Sequence, residues 1–554
     1  MKLSDYVIKF IEGITDSIFL VSGGGCMHTV DSIGKSNLNS YCCHHEQGCA
    51  LAAEAYSRIN NDKIGVASVT TGPGATNAIT GVGAAWVDGI PMIVISGQVR
   101  KEIKLSPEDI KNGLRRLGEP QEINFIPIAK PITKYAVCVE NPEEIRYHLE
   151  KAYYLAKSGK PGPVWIEIPL DVQRTEIDEN NLVGFETPNK PKYGIPFKEI
   201  TNALNNAKKP LLLVGNGIRL AGAIPELHEF IKKTNINVIT AMSGTDLVDH
   251  DYPNYLGEHG MTGVPTANYA SDNCDLLLTI GTRLQIRQTS FEYNEFAKDA
   301  IKILVDIDQS ELYKRTLNLD IPVCANAKDF LKGILKEEIK LNEWNVSKIP
   351  LKHEPIENYI NIYEFLNELS GKCDYPVITA NGMCAETPHQ VLKLKKDQRL
   401  ITNTAFGEMG KGLPMAMGAC VANNKKPVIC LTGDGSIMMN IQELQTVIYH
   451  KLPIKIFIFN NGGYFSIRNT HRNFFNKIFA SDPASGVGLP DWSKLAPGWG
   501  IKYESIKNKN DLYKIQEVLD FEGPIICELF IDPNQYKLPK WGAGLMKDDT
   551  SNNI

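Results

Sequence analysis

The segment "VICLTGDGSIMMNIQELQTVIYHKLPIKIFIFNNGGY", residues 428–464, constrains this 554-residue chain more than any other. One apolar run ends at Gly433-Asp434-Gly435, a helical pattern follows, and a second apolar run ends at Asn460-Asn461. Two strands joined by a crossover of this length pair in parallel. Both therefore end at the carboxyl edge of one sheet, where open α/β folds bind ligands. An acid and an amide meet at that edge. The glycines let backbone approach a phosphate, and the helix opening at Ser436 turns its first amides toward one. Hard oxygen ligands beside a diphosphate are what Mg2+ takes.

The same alternation of apolar runs and helical patterns recurs along the chain. "IGVASVTT", "PMIVISG" and "PVWIEIP" come first, then "PLLLVGNG", "NVITAMS", "DLLLTIG" and "IKILVDID", then "PVITANG", "PVICLTGDGS", "IKIFIFNN" and "PIICELFID". Repeated strand–helix alternation reads as parallel sheets with crossover helices. The expected fold is therefore three consecutive open, mainly parallel-sheet α/β domains over 1–175, 190–340 and 357–540, with a tail at 541–554. Polar, proline-bearing linkers fit near 175–195 and 338–357.

An apolar content of 43% is enough for several cores, and a net charge of −5 offers no basic field to nucleic acid or membrane. No apolar run is long enough to span a bilayer, and the opening "MKLSDYVIKFIEGITDSIF" is amphipathic, unlike a signal peptide. A soluble, cytoplasmic protein with no nucleic-acid or membrane partner is expected. The twelve cysteines are scattered without a CxxC pair, so buried, reduced thiols are expected and no zinc site.

A second segment, "CCHHEQGCALAAEAYSRI", residues 42–59, puts two histidines and Glu46 at the head of a small-residue helix. By itself Glu46 reads as an acid favoured by a helix N-terminus. The GDGS motif, with 24 residues between its second glycine and Asn460-Asn461, resembles the diphosphate-and-metal signature of thiamine diphosphate enzymes. "HHEQGCALAAEAYSR", "TTGPGATNAITGVGAAWVDGIPMIVISGQV", "KPGPVWIEIPLDVQ" and "GEMGKGLPMAMGA" extend the resemblance, in order, to the acetolactate synthase-like family. It implies a pyrimidine-binding, a central and a diphosphate-binding domain, in a homodimer or homotetramer whose sites are shared between subunits.

Individual roles follow from that resemblance. In the family a glutamate at the position of Glu46 pushes the cofactor's pyrimidine to its imino form, and the 4′-amino group then takes the C2 proton. Asp434, the Asn461 side chain and the Gly463 carbonyl correspond to Mg2+ ligands, with Gly433, Gly435, Ser436 and Tyr464 around the diphosphate. Met409 corresponds to the wedge that bends the cofactor, the Gly407 carbonyl to the partner of its 4′-amino group, and Gly24 and Gly25 to the turn near the thiazolium. Pro73 and Asn77 in "TTGPGATN" are counted with the cofactor pocket. Gln98 and Lys134 align with substrate-pocket residues; a strand-end amide and a solvated lysine are the plainer alternatives. His28 and His45 are candidate proton carriers, although His45, beside His44, is equally placed to bond backbone. In the central domain Arg219, Gly281, Arg283, Arg287 and Asp306 correspond to FAD contacts, but the GxG there does not continue as GxGxxG. FAD is a candidate second cofactor, against a central domain left empty.

The chain departs from acetolactate synthases where substrate is measured. It has "GEPQEI" where those enzymes carry an aromatic before QE, and "NNGGYFSIRNTHRNFFNKIF" where they carry a tryptophan. "GGGCMH", "ANGMCAETPHQV", "RLQIRQTS", "GYFSIRNT" and "SGVGLPDWSKLA" resemble relatives tied to bacterial surface-sugar pathways. The implied reaction is decarboxylation of a 2-oxo acid, pyruvate, and ligation of the acyl unit to a carbonyl acceptor such as a nucleotide-linked ketosugar. Arg468, His471 and Arg472 would offer cations to an anionic acceptor, unless they form a solvated loop. Acetolactate synthase, a non-ligating decarboxylase and an inactive paralogue are the alternatives.

Overall fold

The computed structural model describes residues 1–118, 120–189, 194–403, 405–535 and 540–546. Three six-stranded sheets follow one another along the chain, and every pairing between their strands is parallel. The first sheet runs Asn39–Cys42, Ser17–Leu20, Gly65–Val69, Met92–Gln98, Pro163–Pro169, Tyr135–Cys138 from edge to edge. The second places Leu276–Ile280 and Pro210–Val214 at its centre, and the third places Val428–Gly433 beside Ile454–Asn460. In each, the central strands are mostly apolar and buried along nearly their whole length, as a parallel sheet covered on both faces requires.

The register of the third sheet sets Gly433 opposite Phe459, so Asp434 leaves its strand beside Asn460, at the same edge. The small residues of "CALAAEAY" also have a packing cause. The helix Glu46–Ile59 is buried nearly all round, between its own sheet and the third domain's helix Gly412–Ala422. A Cβ on Gly418 would lie 1.9 Å from the Ala52 carbonyl, and one on Gly65 would lie 1.8 Å from that of Ala53. Substitution at either position forces backbone to move, at a cost of about 1–3 kcal/mol or more.

The segment expected as a free tail differs. Trp541 and Ala543 are buried in the central domain, and Asp272 accepts the Trp541 indole N–H (3.1 Å) and the amides of Gly544 and Met546 (3.0 Å each). The buried aromatic bulk of Trp541 and the Asp272 carboxylate, which gathers the amides around it, explain the docking. Among the described residues no helix is long and apolar enough to cross a membrane.

Candidate functional site

At the edge of the third sheet Asp434 is buried, and its two oxygens accept the amides of Gly435 (2.7 Å) and Gly463 (2.8 Å). Burial pushes its carboxyl up to about 6 despite those donors. Asn461 is also buried, and its side-chain oxygen has no hydrogen-bond partner among the described residues. Asn460 is already engaged, donating to Glu528 (2.6 Å) and accepting from the Gly462 amide (3.1 Å). A buried carboxylate, an orphaned amide oxygen and a glycine turn suit a hard divalent cation. Among the described residues no cluster of three or more His, Cys, Asp or Glu side chains would hold a metal, so such an ion needs the amide and the backbone.

The turn is built for close approach. Gly463 has φ +120°, and a Cβ there would lie 2.3 Å from the Ser481 carbonyl; one on Gly435 would lie 2.4 Å from the Tyr464 ring. Ser436 accepts the Gly410 amide (3.0 Å), tying Gly407 and Met409 to the Asp434 turn. Asn381 donates to the Gly407 carbonyl (2.5 Å). Gly433, Asp434, Gly435, Ser436, Asn461, Gly463, Tyr464, Gly407 and Met409 thus lie in one neighbourhood.

A second group gathers at the carboxyl edge of the first sheet. Glu46 opens its helix, 9% exposed, and accepts from Asn77 Nδ2 (2.9 Å) on the helix Pro73–Asp88. The turn before Pro73 packs on the glycine loop: the Gly25 amide donates to Thr70 Oγ1 (3.2 Å), and a Cβ on Gly25 would lie 1.8 Å from Thr71 Oγ1. Gly24 faces open space. Gln98 ends its strand at the same edge, but its amide is engaged by backbone, donating to the Ile123 carbonyl (3.0 Å) and accepting the Val99 amide (2.9 Å). Among the described residues Glu46 and Asp434 of one chain share no hydrogen bond, and the His44 amide beside Glu46 donates to Glu443 Oε1 (3.1 Å).

Several expected site residues lie elsewhere. Lys134 precedes its strand, so it sits at the amino edge of the first sheet, opposite Glu46, and its ammonium caps the carbonyls of Ser158 and Lys160 (2.8 Å for the latter). Burial there lowers it to about 8. His45 is the N-cap of the Glu46 helix, its Nδ1 accepting the Gln47 amide (3.1 Å), so the backbone role holds in this chain. His28 feels Lys2, Arg174 and Asp31 and is lowered chiefly by desolvation. Arg468 is not a free cation: its guanidinium bonds the carbonyls of Asn461 and Gly462 (2.6 Å each) and of Pro533 (3.3 Å), clamping the metal-edge turn. His471 accepts the Phe479 amide (3.3 Å), and Arg472 is exposed beside Phe474, Phe475 and Phe479, themselves exposed.

Between the first and central domains opens a cleft of about 520 Å³, lined by Gly281, Arg283, Arg287 and Asp306. Burial raises Asp306 to about 6. Arg219 does not line it: Asp246 holds Arg219 on one oxygen (2.8 Å) and Arg399 on the other (2.6 Å), a buried triad that satisfies the charge where it sits. The sequence reading missed Asn216, Lys160, Gln288 and His259, which also line the cleft; both ring nitrogens of His259 and Nε2 of Gln288 have no partner among the described residues. His259 lies in "GEHG", which carries no motif, whereas Asn216, Lys160 and Gln288 lie inside quoted segments without being singled out.

Models of the thiamine pyrophosphate enzyme match all three domains: the N-terminal TPP binding domain at residues 1–123, the central domain at 197–334 and the C-terminal TPP binding domain at 380–529. Acetolactate synthase isozyme 2 large subunit of Escherichia coli (strain K12) is 33% identical over 532 residues, 93% of each chain. The acetolactate synthase large subunit of Lactococcus lactis subsp. lactis (strain IL1403) is 31% identical over 99% of this chain and 95% of its own length. The chloroplastic acetolactate synthase of Arabidopsis thaliana is 31% identical over 98% of this chain and 83% of its own.

Proposed function

Since this chain belongs to the thiamine pyrophosphate enzyme family and is a thiamine diphosphate-dependent carboligase/decarboxylase, we propose that it decarboxylates pyruvate and joins the acyl unit to a nucleotide-linked ketosugar. The cofactor, when bound, supplies the electron sink that lets CO2 leave and the carbon nucleophile that attacks the acceptor. The chain's own residues bind, orient and exchange protons. Glu46 holds a proton at the cofactor's N1′, and Asn77 fixes the carboxyl through its 2.9 Å hydrogen bond. Asp434, Asn461 and the Gly463 carbonyl would hold Mg2+, and Gly433, Gly435 and Ser436 leave room for the diphosphate. Met409 and the Gly407 carbonyl would set the cofactor's bend, and Gly24, Gly25 and Pro73 would wall the opposite side. Gln98, Lys134, His28 and His45 are not assigned a chemical step, because each has a structural partner or lies apart from Glu46.

Two subunits would complete each site, the Glu46 group of one facing the Asp434 group of the other. Support comes from exposed Met438, Met439, Phe474 and Phe475 near the Asp434 edge. FAD is the proposed occupant of the central cleft, with Arg283, Arg287, Gly281 and Asp306 as its contacts; Arg219 is not among them.

The observation that carries the acceptor reading is the helix Phe465–Phe474, which leaves the metal-edge turn and presents Arg472 and two phenylalanines outward, with no tryptophan. The relatives' names favour a second reading, formation of acetolactate from two pyruvates. Products from pyruvate with and without nucleotide-linked ketosugars, resolved by mass spectrometry, decide between them. A ketosugar adduct supports the first; efficient acetolactate with no adduct replaces it with the second.

A further inference from the structure

A group of buried ionisable side chains stands behind the Gly407–Met409 segment, and nothing in the chemistry above uses it. Lys411 is 0% exposed, and its Nζ has no hydrogen-bond partner among the described residues. One turn away, one carboxyl oxygen of Glu408 is also buried without a partner. Asn403 Nδ2 lies 3.4 Å from both Glu408 Oε1 and Glu54 Oε1, bridging the two carboxyl groups. Glu54 in turn is held by Arg58 (2.5 Å), which also pairs with Asp88 (2.7 Å) and donates to the Thr402 carbonyl (3.3 Å). Arg58, Asp88 and Thr402 line the central cleft, so the chain of groups runs from that opening to the residues flanking Met409. Glu54 Oε2, Asn403 Oδ1 and Thr402 Oγ1 are further buried atoms along it with no hydrogen-bond partner among the described residues.

An isolated buried ammonium or carboxylate is costly, and polar cavities with several unpaired partners hold ordered water. The groups facing Glu408 are Lys411, Glu54 and Arg58; those facing Lys411 are Glu408, Asp88, Arg58 and Glu54. Burial holds the Glu408 carboxyl up at about 7, with Lys411 pulling it down, and lowers the Lys411 amine. Such a pair changes its proton content near neutrality, where an acid or base works best.

We propose that Glu408 and Lys411 form the proton-supply pair of the thiamine pocket, refilled from the central cleft through Asn403, Glu54 and internal water. The need for protons follows from the balance of the proposed reaction, on which this inference rests. The C–CO2 bond of the 2-oxo acid breaks, CO2 leaves, and the electron pair left behind ends in a new C–C bond or, without an acceptor, in a C–H bond. Either way one proton from solvent is consumed per CO2 released, by the acceptor's oxygen or by the carbon itself, whatever the acceptor is.

The test uses the holoenzyme with thiamine diphosphate and Mg2+, following CO2 release from pyruvate against pH in H2O and D2O. Glu408→Gln is expected to lower kcat at least about tenfold, within the range of a lost general acid, to raise the solvent isotope effect and to remove the limb near pH 7. Lys411→Met, which removes the cation that eases ionisation of Glu408, is expected to move that limb upward in pH. C2–H exchange of the bound cofactor is expected to remain at the wild-type rate in both. Infrared difference spectra of the resting protein give a readout free of turnover: Glu408→Gln is expected to remove one protonated-carboxyl contribution that titrates near 7 in the wild type, leaving that of Glu167 in place. Wild-type kcat, isotope effect and pH profile in Glu408→Gln overturn the proposal, as does an unchanged carboxyl band. Wild-type enzyme inactive on pyruvate counts against the donor reading instead, and the infrared experiment still decides the pair. If Lys411→Met fails to fold, Glu408→Gln carries the test.

Discussion

The Asp434 edge of the third domain and the cleft beside the central domain are both lined by glycines, buried acids and polar groups, yet they are built in opposite ways. At the Asp434 edge, Asp434 takes both of its hydrogen bonds from backbone within 30 residues, and Arg468 from the next helix clamps the turn. The cleft is assembled from Arg58 and Lys160 of the first domain, Asn216 and Gly281 of the central one and Thr402 of the third. A site closed by local hydrogen bonds is held by one strand–turn–helix unit. A site formed by convergence depends on how three domains dock. Damage to the first is therefore expected to be local and chemical, and damage to the second to spread through the interface.

The largest expected effect lies on the chemical side. Glu46→Gln keeps the hydrogen bond to Asn77 but loses the proton at N1′; C2–H exchange of bound cofactor, followed by NMR after acid quench, is expected to slow by about 100–10,000-fold. Unchanged exchange would remove Glu46 from the chemistry. Next, Asp434→Ala or chelation of Mg2+ is expected to release thiamine diphosphate while the FAD proposed for the cleft stays bound, read by separate assays of the two cofactors. Loss of both together would erase the distinction between a local and a convergent site. Mixed subunits carrying Glu46→Gln and Asp434→Ala are expected to regain part of the activity, and complete failure in confirmed mixed dimers would place each site within one chain.

The convergent side is probed by Arg219→Met, which strips one cation from the buried Asp246 triad that joins the central domain to Arg399. About 3–5 kcal/mol of stability is expected to go, the usual cost of breaking a buried ion pair from one side, with the cleft's ligand affinity changed only through that loosening. Denaturant titration with and without flavin checks it; a wild-type midpoint would show that the triad does not hold the interface.

The smallest effect is a pH slope. Glu167, on a central strand of the first sheet, is held at about 7, above its usual 4.5, chiefly by burial. A raised carboxyl favours the protonated form in the fold, so its contribution is fully present below about 4.5 and is lost as pH rises through 7, by up to about 3 kcal/mol. Glu167→Gln is expected to flatten stability against pH over that window, measured by urea unfolding.

The contrast also explains what could be read in advance. Alternating apolar runs are dictated by burial of both faces of a parallel sheet, so the three-domain architecture was legible in the sequence, as was the meeting of Asp434 with the Asn460-Asn461 turn. Glu46 beside Asn77 was reachable because both follow strand ends. Lys134 was misplaced because alignment says nothing about which edge of the sheet a residue occupies, and a residue before a parallel strand is at the wrong one. Arg219 was read as a FAD contact and Arg468 as a donor to an anionic acceptor because a sequence does not show that Asp246, or the carbonyls of Asn461 and Gly462, already hold them. The docking of Trp541 had no local signal, since its partner Asp272 is hundreds of residues away. The sequence alone thus determined the elements, their order and the chemistry at strand ends, where periodicity and turn residues act over a few positions. Only the tertiary structure decided which polar groups are spent on the protein itself, as in the Asp246 triad, and which have no hydrogen-bond partner among the described residues, as Lys411 Nζ and the His259 ring nitrogens do, because partnership in a buried interface is set by three-dimensional docking.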